Sequence, residues 1–226
     1  MTIRVLLADD QALLRQTFRI LISATPDMEV VGEAADGKEA AELARAHHPN
    51  VVVMDIRMPG TDGLAGTEAI CGNPELAGTR ILILTTFETD EYVARALRAG
   101  ASGFLGKTAS TDELLAAIRT IAAGDSLLSP QATQALISRF LATPEPRSHL
   151  AQHDILAGLT AREQEIMALA AQGYSNDDIA AKLFLSTHTV RTHIQRAMMK
   201  LHARDRAQLV VIAYQTGLVR PAPPPR

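Results

Sequence analysis

Tryptophan is absent from this sequence, cysteine occurs once, and aromatic residues amount to only 4%. A lone Cys71 excludes an internal disulfide and makes the cytoplasm the expected compartment. No apolar stretch approaches the roughly 18 residues that cross a bilayer, so no membrane partner is expected. The N-terminus lacks the pattern of a signal peptide: Met1-Thr2-Ile3-Arg4 leads at once into a short run that ends in two aspartates. The shortage of aromatics also argues against a pocket for a small organic signal. His149 and His153 have no cysteine or acidic cluster beside them that would complete a metal site.

What is present divides by charge. Residues 1–124 carry 11 Lys+Arg and 17 Asp+Glu, a net of −6, whereas residues 158–226 carry 9 and 5, a net of +4. Residues 125–157, with 2 and 3, lie between. An acidic front and a basic back imply two modules with different partners, the basic one suited to a polyanion.

In the front module, short apolar runs alternate with segments of helical spacing. Strands are expected at Ile3–Ala8, Glu29–Ala34, Val51–Met54, Arg80–Leu84 and Ser102–Leu105. Between them, Leu13, Leu14, Phe18, Leu21 and Ile22 predict a first helix, and Ala40, Ala41, Leu43 and Ala44 a second. A weaker signal predicts a helix at Leu64–Cys71, and Asp90–Ala99 reads as a helix stopped by Gly100. A last helix carries Leu114, Leu115, Ile118, Ile121 and Ala122. Five strands alternating with five helices predict an α/β fold with a flavodoxin-like five-stranded parallel sheet, order 2-1-3-4-5.

In such a sheet the chemistry gathers at the carboxyl ends of the strands. Strand 1 ends in Asp9-Asp10, strand 3 in Asp55, strand 4 in Thr85 and strand 5 just before Lys107. Taken singly, Asp55 reads equally well as a helix cap, Thr85 as strand filler and Lys107 as a solvated loop charge. Their coincidence at four strand ends is what points to a site. Three adjacent carboxylates repel one another and suit a hard divalent cation, Mg²⁺ or Mn²⁺. A lysine and a hydroxyl beside them suit phosphoryl transfer to a carboxylate.

On these residues, residues 1–124 resemble the receiver domain of two-component response regulators. The resemblance implies that Asp55 is the phospho-acceptor. It implies a metal site of Asp9, Asp10, Asp55 and the backbone carbonyl of Arg57, with Asp10 the favoured direct ligand of the acidic pair. Thr85 matches the switch hydroxyl, Lys107 the phosphoryl-binding lysine and Phe104 the switch aromatic. Phe104 lacks a hydroxyl, which leaves it a steric role. Gly106 and Thr108 replace the large aliphatic and the proline that commonly flank the lysine.

Residues 125–157 read as a linker with one helix from Ser129-Pro130, followed by proline-rich sequence at 143–149. Thr160-Ala161-Arg162-Glu163 then has the form of a capping box. Further helices are expected after Ser175, from Thr187 to about Leu201, and after Asp205. A short helix, a tight connection at Phe184-Leu185 and a longer helix suggest helix-turn-helix. On the longer helix Val190, Ile194, Ala197 and Leu201 form the core stripe. His188, Thr192, Gln195 and Met199 lie opposite, with Arg191 on the shoulder. His193 and Lys200 lie on the flank, with Arg196 farther round. Arginine, glutamine and threonine are groups that read base edges.

Residues 158–218 resemble the LuxR-type helix-turn-helix. The motifs are Leu159–Glu163, Gly173–Asn176, Ile179-Ala180, Ser186, Thr189–His193, Lys200-Leu201 and Arg206. The resemblance implies base reading by Arg191, Thr192 and Gln195. It implies phosphate contact or helix orientation for Ser186, Thr189, His193 and Lys200. Residues 219–226 are expected to be a disordered tail.

Together the modules resemble a NarL/FixJ-type response regulator, a DNA-binding transcription regulator and not an enzyme. The implied partners are a sensor histidine kinase, double-stranded DNA, a second copy of the chain once phosphorylated, and RNA polymerase. The family suggests helices 1 and 5 as the receiver contact and the last helix as the DNA-bound contact. An aspartate-nucleophile phosphatase would need an acidic residue two positions after Asp55, where Arg57 stands.

Overall fold

A computed structural model describes residues 2–86, 90–124 and 156–219, with residues 90, 91 and 94 as backbone alone. The chain divides into two compact units between residues 127 and 128. The expected linker helix from Ser129, the pair His149 and His153, and the tail from residue 220 onward lie outside the described residues.

The first unit runs β1 (Ile3–Ala8), α1 (Ala12–Ser23), β2 (Met28–Ala34), α2 (Gly37–His47), β3 (Val51–Met54), α3 (Gly63–Cys71), β4 (Arg80–Thr85), α4 (Asp90–Ala99), β5 (Gly103–Gly106) and α5 (Thr111–Ala122). All the strand pairs are parallel and the order is β2-β1-β3-β4-β5. Alternate residues of each strand feed opposite faces of the sheet. Leu6, Val52, Met54, Ile81 and Ile83 pack with Ala40, Ala41 and Ala44 of α2, Leu64 and Ile70 of α3, and Ala96 of α4. Val5, Leu7, Val51, Val53, Leu82 and Leu84 pack with Ile22 of α1 and Leu114, Ile118 and Ile121 of α5. Covering on both faces is why Val51–Met54 is apolar without a break. Each such side chain contributes roughly 1.5–3 kcal/mol by leaving water.

The helices start where side chains take up their free N–H groups. The Asp36 carboxylate accepts from Lys38 and Glu39 at the head of α2, and Ser110 and Glu113 form a capping box at α5. The expected first helix forms, and two local details go beyond the sequence reading. Leu13 is 78% exposed and stands outside the core face of α1. At about 100° per residue, Leu14, Phe18, Leu21 and Ile22 share one side, while Leu13 and Ile20 fall together on another. A short 3-10 turn at Pro74–Leu76, which the sequence pattern does not announce, buries Leu76 behind an Asn73 cap.

One glycine shapes the loop after β3. Gly63 opens α3 directly against the backbone of Asp55, and a Cβ there would lie 1.8 Å from the Asp55 main-chain carbonyl oxygen. The absent side chain lets the Gly63 N–H donate to the Ile56 carbonyl at 2.9 Å. The loop is thereby folded back under Asp55.

The second unit contains, among the described residues, α6 (Ala161–Ala171), α7 (Asn176–Leu183), α8 (Thr187–Lys200) and α9 (Arg206–Gln215). Thr160, Ser175, Ser186 and Asp205 cap them in turn. Phe184 turns the chain from α7 into α8 with a left-handed backbone, φ 56°. Ile166, Met167, Ile179, Val190, Ile194, Ala197, Leu209, Val210 and Ala213 form its buried interior.

Candidate functional site

The register of the sheet delivers the acidic residues to one edge. Ala8 pairs with Met54 and Met54 with Ile83, so Asp9 and Asp55 are the first residues beyond their strands. The Asp55 N–H still donates to the Ala8 carbonyl at 2.8 Å, and the Asp9 N–H to Ala34 at 3.1 Å. Thr85 pairs with Gly106, and the Lys107 N–H donates to the Thr85 carbonyl at 2.9 Å. The backbone ladder thus continues past the ends of β1, β3 and β5 and fixes where their side chains begin.

Lys107 joins the cluster. Its ammonium donates to Asp9 Oδ2 at 2.6 Å and to Asp55 Oδ2 at 2.8 Å. All three side chains are less than 10% exposed. Burial pulls the Lys107 ammonium toward a lower pKa, but the hydrogen bonds and charges of Asp55 and Asp9 outweigh it and hold the pKa above the ordinary 10.5. Asp55 Oδ1 accepts the Ile56 N–H at 2.7 Å, and Asp9 Oδ1 the Gln11 N–H at 2.9 Å. Each buried carboxylate therefore has one oxygen held by backbone and one by lysine.

Asp10 is exposed, unlike Asp9. Carboxylate oxygens of Asp9, Asp10 and Asp55 all lie within 4.8 Å of one another. Three hard oxygen donors this close fit an octahedral divalent cation that keeps several of its own ligands. Asp10 and Arg57 also line a groove of about 420 Å³ with Ile56, Met58, Pro59, Asp62, Tyr92 and Arg95. That groove gives the acidic cluster an approach from solvent. The Arg57 guanidinium donates to the Tyr92 hydroxyl at 3.2 Å and lies over its ring, tying the loop after β3 to α4. Thr85 is fully buried at the end of β4, and Phe104 is half-buried against the core.

The second unit sorts the expected contact residues by position. Val190, Ile194 and Ala197 of α8 are buried, while His188, Arg191, Gln195, Arg196, Met199 and Lys200 are exposed. Thr189, Thr192 and His193 are half-buried. Ser186 caps the helix through the Thr189 N–H, and its hydroxyl bonds that of Thr189 at 2.8 Å. The Thr192 hydroxyl donates to the His188 carbonyl at 3.0 Å. Lys200 donates to Glu163 Oε2 at 2.7 Å.

Glu163 is more than the half of a helix cap that its sequence pattern suggests. Burial pushes its carboxyl upward, but hydrogen bonds from Lys200 and Thr160 prevail and hold it below the ordinary 4.5. A depressed carboxylate stabilises the fold above its unfolded value and ceases to as pH falls through the lower folded one. The second unit should therefore lose thermal stability as pH drops from about 4.5. Glu163→Gln should flatten that stretch of the curve, read from midpoints by circular dichroism between pH 3 and 6.

Residues 5–119 match the family model described as response regulator receiver domain, and residues 157–213 the model described as bacterial regulatory proteins, luxR family. The transcriptional regulatory protein YxjL of Bacillus subtilis is 41% identical over 96% of this chain and 98% of its own. The chain belongs to the NarL/FixJ-type response regulators. Oxygen regulatory protein NreC of Staphylococcus carnosus is 37% identical over 96% of this regulator and 99% of its own length. The crystal structure of the response regulator ChrA, from a heme-sensing two-component system, is 36% identical and has a TM-score of 0.50. It covers 96% of this regulator and 99% of that chain. The regulator is thus a DNA-binding transcription regulator with a receiver domain and a LuxR-type helix-turn-helix. No helix among its described residues is long and apolar enough to cross a membrane.

Proposed function

We propose that a sensor histidine kinase transfers a phosphoryl group to Asp55, and that the transfer controls DNA binding through α8. The observation that carries this reading is Lys107, whose buried ammonium bridges Asp55 and Asp9. An Asp55 carboxylate oxygen attacks phosphorus, the bond from phosphorus to the donor breaks, and the donor leaves with the electron pair. Asp9, Asp10, Asp55 and the Arg57 carbonyl would hold Mg²⁺ or Mn²⁺, which supplies charge neutralisation on the phosphoryl oxygens. Lys107 then pairs with a phosphoryl oxygen, the Thr85 hydroxyl with another, and Phe104 repacks behind Thr85. The cytoplasm is the compartment in which such a regulator meets both kinase and promoter.

On the DNA, Arg191, Thr192, Gln195 and His188 face base edges. Ser186, Thr189, His193 and Lys200 contact phosphates or orient the helix, with Arg196 on the same side. The regulator binds as a two-fold dimer on paired half-sites once phosphorylated, and RNA polymerase is the further partner at the promoter. Half-exposed Val211 and Ile212 on α9 support a dimer contact there. The test is selection of duplexes from a random library by the full chain, with and without phosphorylation. Paired half-sites enriched only by the phosphorylated protein are expected, and equal enrichment by both forms would remove the control step. Arg191→Ala should then cost roughly 1–3 kcal/mol of discrimination between selected and scrambled duplexes. Unchanged discrimination in a filter-binding titration would take Arg191 out of base readout.

A further inference from the structure

Lys200 and Glu163 join the start of α6 to the end of α8. Glu163 stands in the first turn of α6, and Lys200 is the last residue of α8. One oxygen, Glu163 Oε2, takes both the Thr160 N–H at 2.8 Å and the Lys200 ammonium at 2.7 Å. The Glu163 side chain is 3% exposed and that of Lys200 39%. The carboxylate sits at the positive end of one helix dipole and the ammonium at the negative end of the other, so both charges are favoured where they stand. A buried carboxylate must keep its cation, because losing it leaves an uncompensated charge in the interior.

We infer that Glu163 is a positioning residue for DNA recognition: by gripping Lys200 it fixes the tilt of α8, and Lys200 serves as that tether and not as a phosphate contact. The inference rests on α8 being the reading helix. Arg191 lies nine residues from Lys200, roughly 13 Å along the helix at about 1.5 Å per residue. A tilt of about 10° pivoting near the tether would carry Arg191 roughly 2 Å, several times the spread of about 0.5 Å in the donor–acceptor distances at which a hydrogen bond holds. A loosened α8 would still meet phosphates, since these contacts follow charge and tolerate displacement.

Glu163→Gln is the informative variant. Its amide oxygen can still accept the Thr160 N–H, so the cap survives, while Lys200 loses the carboxylate charge that holds it and keeps at most a neutral hydrogen bond. The full chain and its variants are titrated with a duplex it selects and with a scrambled duplex, across a salt series, at a temperature where circular dichroism shows each folded. Glu163→Gln and Lys200→Met should each lower the selected-to-scrambled affinity ratio roughly tenfold, the worth of about one base pair of readout. The double variant should lose no more than either single one, and Lys200→Arg should restore the ratio. The slope of log affinity against log salt should not change. A slope reduced by about 0.9 in Lys200→Met, with both duplexes weakened alike, would make Lys200 a phosphate contact and overturn the inference. Should Lys200→Met fail to fold because Glu163 is stranded, Glu163→Gln decides: an unchanged or increased ratio overturns the inference. A ratio that falls with Arg191→Ala but not with Glu163→Gln overturns the inference alone. A ratio that moves with neither overturns the reading of α8 and the inference with it.

Discussion

Asp55→Asn should abolish phosphoryl labelling of the regulator by acetyl phosphate and, with it, the phosphorylation-dependent part of DNA binding. An amide has nearly the shape of the carboxylate but is no nucleophile at phosphorus. The Asn side-chain oxygen can still accept the Ile56 N–H that Asp55 Oδ1 takes at 2.7 Å, so the loop after β3 keeps its anchor. The other position then presents an NH₂ group where Asp55 Oδ2 accepts from Lys107, and two donors face each other. Lys107 retreats onto Asp9, which it also meets at 2.6 Å, so the site stays closed and folded. The variant thus separates chemistry from stability. Loss of label with an unchanged melting curve is the expected pair of results, measured by phosphate-affinity electrophoresis and circular dichroism. Label retained at the original level would place the acceptor elsewhere.

Much of this was legible because the residues carry it locally. The apolar run Val51–Met54 has no polar gap, which only a strand covered on both faces tolerates, and the sheet order followed from alternation and handedness. Asp9, Asp55, Thr85 and Lys107 were legible as strand ends, and the register then brought those ends together. The exposed and buried faces of α8 were legible because helical period alone sorts them. The pairings were not. Lys107 reaches a residue 52 positions away, and Lys200 one 37 away. No local pattern says which carboxylate a lysine will find. The exposure of Leu13 was hidden for a related reason: an apolar residue beside a true stripe looks like part of it until the helix is placed against the sheet. The signal for Glu163 was half present, since a capping-box glutamate is ordinary, and only its burial marks it as more than a cap.

Lys107→Ala tests whether the lysine stands where a cation is needed. In chelator, the variant leaves two buried carboxylates, Asp9 and Asp55, facing each other with no ammonium between them. Removing one partner of a buried pair costs roughly 3–5 kcal/mol. Asp10 is exposed and the cluster opens onto a groove, so water relieves part of this, and the expected loss for the receiver unit is about 3 kcal/mol. Added Mg²⁺ should return most of it. In the native protein a divalent ion must share the site with the ammonium, and like charges oppose each other. In the variant it meets the carboxylates alone, so Mg²⁺ should bind more tightly while phosphoryl transfer slows for want of the lysine. Urea titrations with chelator and with Mg²⁺ measure the first effect, and labelling rates the second. The sign of the metal effect is what discriminates. A lysine that only braced the loop would leave metal affinity unchanged or weaker on its removal. Tighter binding with slower transfer follows only if ammonium and metal neutralise the same oxygens.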